Sequence, residues 1–440
     1  MLRTPSRLLR LLVALCVLAC LAPAGAGRAE PRARAAAGRG ADEARVRVFD
    51  EVWEQVRARY YDPTLHGVDW LGLGESLRPL AARARDEAEF YRVLRRLLGS
   101  LRDPHTRVFP PGESADWRVQ RFVSVGLSVR EVGGEVLVTG VARGSEAERA
   151  GLRAGDAVVS VDGERAEALL ARRAGEQEEA GSGSARLLAA ARLFDGPRGT
   201  AVAVVFRREP GGRERAARLR RELFERVPEF RLRRAGGGVA VAQFNIFTEE
   251  IAARFARALR DEARGARALV IDLRENGGGE TEALTDIAST LLPAGTSLGL
   301  FTGRDGRALV EPRTRSTLLA AADALKSFGG PVVVLTAPRT ASAAEVFAAA
   351  LRESGRARVV GETTCGCVLG IRRRHTLADG GVLDISEMDY RTAGGVRLEG
   401  AGVRPDEELA PTRADLRRGR DRALRRAVEI LKEEVRRKRG

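Results

Sequence analysis

The sequence predicts an α/β fold, α+β overall, with three folded parts. Short apolar runs alternate with helical patterns between residues 239 and 361, which indicates a parallel sheet with packed helices. Residues 122–208 contain β-rich runs separated by glycine turns, and residues 48–101 space apolar side chains at three and four, as helices do. At 440 residues and 44% apolar content, the chain is large enough to bury several cores.

The first 26 residues have the layout of a bacterial export signal. Three arginines precede the apolar stretch LLVALCVLACLA (11–22), and the small residues AGA (24–26) follow it. This stretch is too short to span a bilayer. We expect cleavage near Ala26 and a periplasmic or cell-envelope location. The alternative is lipidation of Cys20, because Val17 to Cys20 resembles a lipoprotein box.

Composition excludes two classes of function. The net charge is +15, but acidic residues are interspersed with the arginines and no basic stripe carries interleaved aromatic residues, so we expect no nucleic-acid partner. Beyond the signal, the only cysteines are Cys365 and Cys367. This close pair is not a disulfide framework, and it lacks the further ligands of a structural zinc site. We expect no metal and no organic cofactor.

The β-rich middle part carries a peptide-binding pattern. The stretch VARGSEAERAGLRAGDAVVSVDG (141–163) resembles a PDZ domain, and VGLSV (125–129) lies where that family has its carboxylate-binding loop. Such a loop offers main-chain N–H groups to the terminal carboxylate of a peptide, beside a strand edge that accepts an extra strand. The resemblance implies peptide contacts from five residues: Val125, Gly126, Leu127, Ser128 and Val129.

Ser342 lies where the apolar run PVVVLTA (331–337) gives way to a helical pattern. Ser342 and Glu345 fit a helix capping box, in which side chains bond free main-chain N–H groups. A serine at a strand-to-helix turn is also how nucleophile elbows expose their hydroxyl. The loop DLRENGGGE (272–280) favours the second interpretation, because glycines let N–H groups approach a developing oxyanion. The alternatives for this glycine loop are a tight turn, or a phosphate-binding loop that lacks the lysine of a Walker motif.

Together these motifs resemble the C-terminal processing peptidases, or tail-specific proteases, and the related core of the tricorn protease. The resemblance covers about residues 46–410 and implies a ClpP/crotonase-like catalytic domain with a helical N-terminal domain and an inserted PDZ domain. The stretches that carry it, besides the PDZ segment, are GVDW (67–70), DPHT (103–106), DLRENGGG (272–279), TASAAEVFAAAL (340–351), VVGETTCG (359–366) and GVRPD (402–406).

These patterns divide the chain into seven expected segments. They are a signal peptide (1–26), a flexible tether (27–45), an N-terminal helical domain (46–118), a PDZ domain (119–210), a connector (211–237), a catalytic α/β domain (238–412) and a C-terminal basic helix (413–440).

The expected base for Ser342 is a histidine. In the processing peptidases a lysine follows the matching serine by about 25 residues, but this chain has Gly366 and Cys367 there. A hydroxyl needs an adjacent base to become a nucleophile. By resemblance to the tricorn branch, that base is His105 in DPHT, and Glu399, just before GVRPD, orients the imidazole. The resemblance implies a Ser-His-Glu set rather than a Ser-Lys dyad.

Several alternatives remain open at the same site. His375 is a second candidate base, whereas His66 has the setting of a structural histidine. Glu362 competes with Glu399 as the orienting residue. In the tricorn branch a hydroxyl residue precedes the histidine, but Pro104 stands there, so Thr106 is the replacement candidate. Cysteine catalysis through Cys367 is a further interpretation.

We therefore expect an exported serine endopeptidase that cleaves polypeptides selected through unstructured or C-terminal tails bound by the PDZ domain. The oxyanion would be held by the N–H groups of Gly278 and Ala343. A homo-oligomer or an activating partner is possible within this interpretation. The rival is a catalytically inactive homologue that binds peptides or ligands, which the missing lysine favours.

Overall fold

The computed structural model describes residues 30–113, 118–178, 185–316 and 328–438. The expected signal peptide and Cys20 lie outside these ranges. Within them, none of the helices is both long and apolar enough to cross a membrane.

The N-terminal part is helical, as predicted, and packs on one short strand. Its core consists of apolar side chains of the helices together with four residues from outside them: Val108, Leu377, Leu383 and Ile385. The first helix begins at Glu30, inside the segment for which the sequence predicts a flexible tether; alanine and arginine, both strong helix formers, dominate there. The elements are α1 (Glu30–Arg59), a 3₁₀ turn (Leu65–Gly67), α2 (Trp70–Ala82), α3 (Glu87–Gly99) and β1 (Arg107–Phe109).

The expected PDZ segment forms an antiparallel sheet in the order β3-β4-β5-β7-β8, with β6 paired to β5. The strand β8 falls within the expected connector, so the sheet extends beyond residue 210, where the sequence predicts the PDZ domain to end. The elements are β2 (Gln120–Ser124), β3 (Leu127–Val132), β4 (Glu135–Val141), α4 (Glu146–Arg149), β5 (Ala157–Val161), β6 (Glu164–Arg165), α5 (Ala166–Glu178), α6 (Ala185–Ala191), β7 (Ala201–Arg207) and β8 (Glu214–Arg220).

The rest of the expected connector is also paired. One strand, β9 (Glu222–Arg226), forms a separate two-stranded ribbon with β2, and Phe122 stacks on Phe224 across it. The next strand, β10 (Phe230–Arg234), is the antiparallel edge of the catalytic sheet. The expected connector therefore contains three strands, β8, β9 and β10, rather than an irregular linker.

The catalytic part is a six-stranded sheet in the order β10-β11-β12-β15-β16-β19, parallel from β11 onward. Helices cover both faces: Phe255 and Phe347 belong to the core on one face, and Ala427 and Leu431 of the last helix belong to the core on the other. The elements are β11 (Val239–Phe244), α7 (Glu249–Arg260), β12 (Ala268–Asp272), α8 (Thr281–Ser289), β15 (Val332–Thr336), α9 (Ala343–Glu353), β16 (Ala357–Gly361), β19 (Glu407–Glu408), α10 (Arg413–Arg418) and α11 (Arg422–Arg437).

A second sheet joins the two ends of the chain. Its central strand is the long β18, which pairs with β1 from the N-terminal part, with β17 and with β13. The remaining elements are β13 (Leu300–Thr302), β14 (Ala308–Val310), β17 (Gly370–Thr376) and β18 (Val382–Arg391). The hairpin predicted around residues 371–390 is thus present. Because Arg107 lies opposite Asp384, the segment that carries His105 is fixed against the catalytic part.

Candidate active site

Ser342 occupies the turn between β15 and α9, immediately before the helix. Its backbone has φ 55° and ψ −125°, a conformation that residues other than glycine rarely adopt. Such strain costs about 1–3 kcal/mol and persists only where surrounding contacts impose it. Those contacts act on the Ser342 N–H, which donates to the carbonyl oxygen of Cys367 at 2.8 Å and to the carboxylate of Glu345 at 3.1 Å.

Glu345 caps the main-chain N–H of Ser342, but the Ser342 hydroxyl does not act as a helix cap. Glu345 accepts the Ser342 N–H, which is one half of the box. The N–H of Glu345 donates to the main-chain carbonyl oxygen of Ser342 at 2.8 Å, so the hydroxyl is not needed to satisfy it. An ordinary N-cap residue also has an extended backbone, unlike Ser342.

Glu345 holds the loop that follows β16. Its carboxylate is fully buried and accepts the N–H groups of Gly366 at 2.7 Å and Cys367 at 2.9 Å, together with the hydroxyl of Thr364. Burial raises the pKa of Glu345, although these hydrogen bonds oppose the shift. The sequence predicts Glu345 only as a cap, and its role in holding this loop depends on residues about 20 positions away.

The glycine loop lies against Ser342. A Cβ atom at Gly278 would lie 2.6 Å from Ser342 Cβ and 3.1 Å from the main-chain nitrogen of Ala343, so no side chain fits there. The structure therefore brings the two expected oxyanion residues, Gly278 and Ala343, to the serine. However, the N–H of Gly278 donates to the side-chain oxygen of Asn276 at 2.9 Å.

Asn276 organises this loop and is a residue that sequence reasoning missed. Its side chain is fully buried and donates to the carbonyl oxygen of Phe244 at 3.1 Å, while its main-chain carbonyl accepts the N–H of Ala341 at 3.0 Å. Asn276 thus links the glycine loop both to β11 and to the residue before Ser342. The available signal was its position beside three glycines, since asparagine favours turns.

His105 lies two residues before β1, with 18% of its side chain exposed. Its Nδ1 atom is buried and has no hydrogen-bond partner among the described residues. The acidic oxygen near it is Asp103 Oδ1, at 3.6 Å, which is outside hydrogen-bond length. Thr106, the candidate hydroxyl partner, instead donates to Asp103 Oδ2 at 2.5 Å and accepts the N–H of Ser386 at 3.1 Å.

Glu399 is fixed by the residue next to Cys367. Its Oε2 accepts the N–H of Val368 at 2.7 Å, so consecutive loop residues bind the Ser342 backbone and the Glu399 carboxylate. Burial raises the pKa of Glu399 to about 7; the Val368 N–H and the charge of His105 lower it, and the charges of Asp103 and Glu345 raise it. Glu399 therefore lies within electrostatic range of His105.

The competing orienting residue is engaged elsewhere. Glu362 forms a two-point ion pair with Arg130 on β3, with 2.8 Å between Oε1 and one guanidinium nitrogen. This pair joins the PDZ sheet to the end of β16, so Glu362 faces a cation rather than His105. The structure thus separates Glu362 from the role that the sequence left open for it.

The other alternative residues are also committed to local contacts. His375 lies 3.3 Å from Glu387, and burial lowers its pKa; His66 is hydrogen-bonded to the hydroxyl of Tyr61 at 2.6 Å. Cys367 forms a disulfide with Cys365. The interpretation of Cys367 as a nucleophile is therefore wrong for this structure, because a thiolate is required for attack.

The expected peptide-binding loop leads into β3, which is an edge strand of its sheet. The side chains of Val125, Leu127 and Val129 are buried in the PDZ core, whereas Ser128 is exposed. Gly126 has φ 77°, and its N–H donates to the hydroxyl of Ser124 at 3.1 Å. The edge of β3 is therefore the feature that resembles a peptide-accepting strand.

Three family descriptions match this chain. "Peptidase family S41" matches residues 237–409, "Tricorn protease C1 domain" matches residues 42–99, and "PDZ domain" matches residues 137–169. A chloroplastic C-terminal processing peptidase of Tetradesmus obliquus is 31% identical over 387 residues, which cover 83% of this chain and 77% of that protein. A putative tricorn protease homolog of Streptomyces coelicolor is 29% identical over 408 residues, which cover 87% of this chain and 32% of that protein.

Solved structures agree with this assignment. The photosystem II D1 C-terminal processing protease superposes with a TM-score of 0.53 at 27% identity, covering 83% of this chain and 92% of that one. Mature CPAF complexed with lactacystin has a TM-score of 0.66 at 15% identity, covering 89% and 98%, and so supports the fold alone. The expected fold class, a ClpP/crotonase-like catalytic domain with a helical N-terminal domain and an inserted PDZ domain, is confirmed.

Proposed function

This chain belongs to peptidase family S41 as a C-terminal processing serine peptidase with a PDZ domain, and we propose that Ser342, His105 and Glu399 are its catalytic residues. The observation that carries the proposal is the shared loop. Cys367 accepts the Ser342 N–H, and Val368 donates to Glu399. The segment 367–368 therefore contacts both the strained serine and Glu399, whose pKa is raised by burial and lowered in part by the charge of His105.

In the proposed reaction His105 removes the hydroxyl proton as Ser342 Oγ attacks the peptide carbonyl carbon. The carbonyl oxygen becomes an oxyanion, which the N–H groups of Ala343 and Gly278 stabilise. His105 then gives its proton to the leaving amine as the C–N bond breaks, leaving an acyl-enzyme that water hydrolyses by the same steps. Glu399 stabilises the protonated imidazole.

The resting geometry adds one requirement to this mechanism. The Gly278 N–H donates to Asn276, so it must turn from that side chain toward the substrate before it can bind the oxyanion. The N–H of Ala343 is the first of a helix and has no intrahelical partner. We propose that Ala343 supplies the constant donor and that Gly278 joins when substrate is bound.

The PDZ domain is proposed to recruit substrates by their unstructured C-terminal tails at the loop 125–129 and the edge of β3. Its sheet is tied to the catalytic part by Arg130 and Glu362. Because His105 and Ser342 flank the PDZ domain in sequence, we propose that a rigid-body movement of that domain adjusts their separation, within the limit set by the pairing of β1 with β18. A PDZ deletion that kept tail selectivity and activity unchanged would exclude this coupling.

We further propose that the protein is exported, with signal cleavage near Ala26 in preference to lipidation at Cys20. A homo-oligomer or an activating partner belongs to the same proposal. Mass spectrometry of the mature N-terminus separates the two processing routes, since a diacylglyceryl group on Cys20 adds a defined mass. Size-exclusion chromatography with light scattering reports the oligomeric state.

The catalytic proposal is tested by labelling with a serine-directed fluorophosphonate. We expect labelling of the wild type at Ser342, no labelling of Ser342→Ala, and labelling of His105→Ala slowed by at least about 100-fold. Cleavage of a protein with an unstructured tail should follow the same order. Failure to label a folded wild-type protein that retains tail binding would favour the rival function of an inactive peptide binder.

A further inference from the structure

A second carboxylate, that of Asp103, lies closer to His105 than the sequence predicts. Asp103 is two residues before His105, and its side chain is 1% exposed. Its Oδ1 accepts the main-chain N–H of His105 at 2.8 Å, and its Oδ2 accepts the Thr106 hydroxyl at 2.5 Å. The sequence includes Asp103 in the motif DPHT without assigning it a role.

The imidazole offers a matching unfilled position. His105 Nδ1 is buried without a hydrogen-bond partner among the described residues, and it lies 3.6 Å from Asp103 Oδ1. A buried polar atom without a partner costs free energy, so such an atom calls for an explanation. Catalytic hydrogen bonds are often long in the absence of substrate and shorten when charge develops.

We infer that Asp103 is a positioning residue for His105: its carboxylate accepts a hydrogen bond from Nδ1–H as the imidazole becomes positively charged. The inference rests on the proposed role of His105 as general base and deepens it. With Nδ1 directed at Asp103, the other ring nitrogen is left on the opposite edge of the imidazole to take the proton of Ser342. Asp103 itself does not touch substrate.

The two carboxylates near His105, those of Asp103 and Glu399, differ in how fully they are ionised. Burial alone would raise the pKa of Asp103, but contacts with His105, Ser386 and Thr106 outweigh it, so its pKa lies below the ordinary value and the group is ionised. Glu399, with a pKa of about 7, is half protonated near neutral pH. The other titratable groups within electrostatic reach of Asp103 or Glu399 are Tyr60, Tyr61, Arg107 and Glu345. Asp103 is thus the constant negative charge beside the imidazole.

The decisive comparison is Asp103→Asn against Glu399→Gln. Asparagine still accepts the His105 N–H but removes the negative charge. We expect kcat to fall about 100- to 1,000-fold in Asp103→Asn with KM changed less than about threefold, and fluorophosphonate labelling to slow equally. The acidic limb of its pH–kcat profile should also move to lower pH, because the negative charge beside the imidazole is gone. In Glu399→Gln the loss should be smaller at pH 6 than at pH 8, where wild-type Glu399 is ionised.

A matched control separates a structural effect from a positioning effect. Asp379→Asn also replaces an aspartate where the N-terminal helices contact the turn between β17 and β18. There Asp379 accepts a hydrogen bond from the hydroxyl of Tyr91 at 2.9 Å. We expect Asp379→Asn to lower the melting temperature without changing kcat or the pH profile. Kinetics of Asp103→Asn that match Asp379→Asn would overturn the inference.

A second measurement observes the hydrogen bond directly rather than through rates. In wild-type protein inhibited at Ser342 and labelled with ¹⁵N-histidine, we expect a strongly deshielded Nδ1 proton from His105, one of only three histidines. Its loss or large shift in Asp103→Asn, but not in Glu399→Gln, supports the inference, and the reverse result overturns it. If the wild type is not labelled at Ser342, the proposed function itself fails; if it is labelled and Asp103→Asn equals wild type, only this inference fails.

Discussion

Arg130 on the PDZ sheet and Glu362 at the end of β16 form a part-buried, two-point ion pair between two parts of the chain. Breaking such a pair leaves one charge without its partner. We predict that Arg130→Ala and Glu362→Gln each lower the free energy of unfolding by about 1–3 kcal/mol, and that the double variant loses less than their sum. Chemical denaturation of the four proteins measures this coupling; strictly additive losses would contradict it. Arg121→Ala, which removes an exposed pair with Glu225, is the control and should change stability by less than about 1 kcal/mol.

Replacing the strained serine should stabilise the protein while removing its activity. Ser342 has φ 55° and ψ −125°, which glycine adopts without a Cβ penalty. We predict that Ser342→Gly unfolds about 1–2 kcal/mol less readily than Ser342→Ala, and that neither is labelled by fluorophosphonate. The comparison between two inactive variants isolates backbone strain from the loss of the hydroxyl. Equal thermal stability of the two variants would mean that the turn is not strained.

Two neighbouring glycines should differ sharply in their tolerance of alanine. A Cβ at Gly278 would lie 2.6 Å from Ser342 Cβ, whereas a Cβ at Gly277 meets nothing within 4 Å. We predict that Gly278→Ala reduces kcat/KM by at least about 100-fold, because the serine or the oxyanion donors must move. Gly277→Ala, the matched control, should retain activity within about threefold. Similar losses in both variants would argue against close contact between Gly278 and the serine.

Glu399 should make stability fall with rising pH. Its pKa is about 7 in the folded protein against 4.5 ordinarily, so between these values the folded state holds more protons than the unfolded state. The contribution is fully present below pH 4.5 and is lost as pH rises through about 7, at no more than about 1.4 kcal/mol per pH unit. We predict that wild type loses stability relative to Glu399→Gln between pH 5 and 8, as measured by urea denaturation. A constant difference across this range would refute the shifted pKa.

The disulfide between Cys365 and Cys367 should contribute modestly to stability. It closes a very short loop, for which chain entropy predicts about 1–2 kcal/mol. Cys365 borders a cavity of about 200 Å³ that also includes Glu362 and Glu408, which gives a reductant a route of approach. We predict that a phosphine reductant lowers the melting temperature of wild type but not that of the variant Cys365→Ser/Cys367→Ser. Labelling should slow less than tenfold, because Glu345 still holds Gly366 and Cys367.

The catalytic sheet could be predicted because its information is local. Runs such as ALVIDL and PVVVLTA are apolar enough to indicate buried parallel strands, and Ser342 follows directly from where the second run ends. The strands in the connector were missed because arginine and glutamate dominate their composition. β9 pairs with β2, which is distant in sequence, and β10 pairs with the following strand β11.

The site was predicted only as far as motifs extend. Ser342, Gly278 and Ala343 meet in the structure because one turn and one glycine loop lie at the ends of adjacent strands. Asn276 and the loop-holding role of Glu345 could not be predicted, since both depend on which distant N–H groups a folded loop presents. Asp103 is part of the motif DPHT, but its role as a positioning residue is suggested only by the structure, in which the buried Nδ1 atom of His105 has no hydrogen-bond partner among the described residues.

The pairing of β1 with β18 has a consequence for how the protein folds during its synthesis. Synthesis proceeds from the N-terminus, so the strand after His105 leaves the ribosome long before its partner around Asp384 exists. With His105 as the proposed base, the base stays unplaced through synthesis of the whole PDZ sheet and most of the catalytic sheet, and contacts of such long range form late in folding. We therefore expect a nascent chain that ends before β18 to lack peptidase activity, because the segment around His105 has not yet found its partner strand.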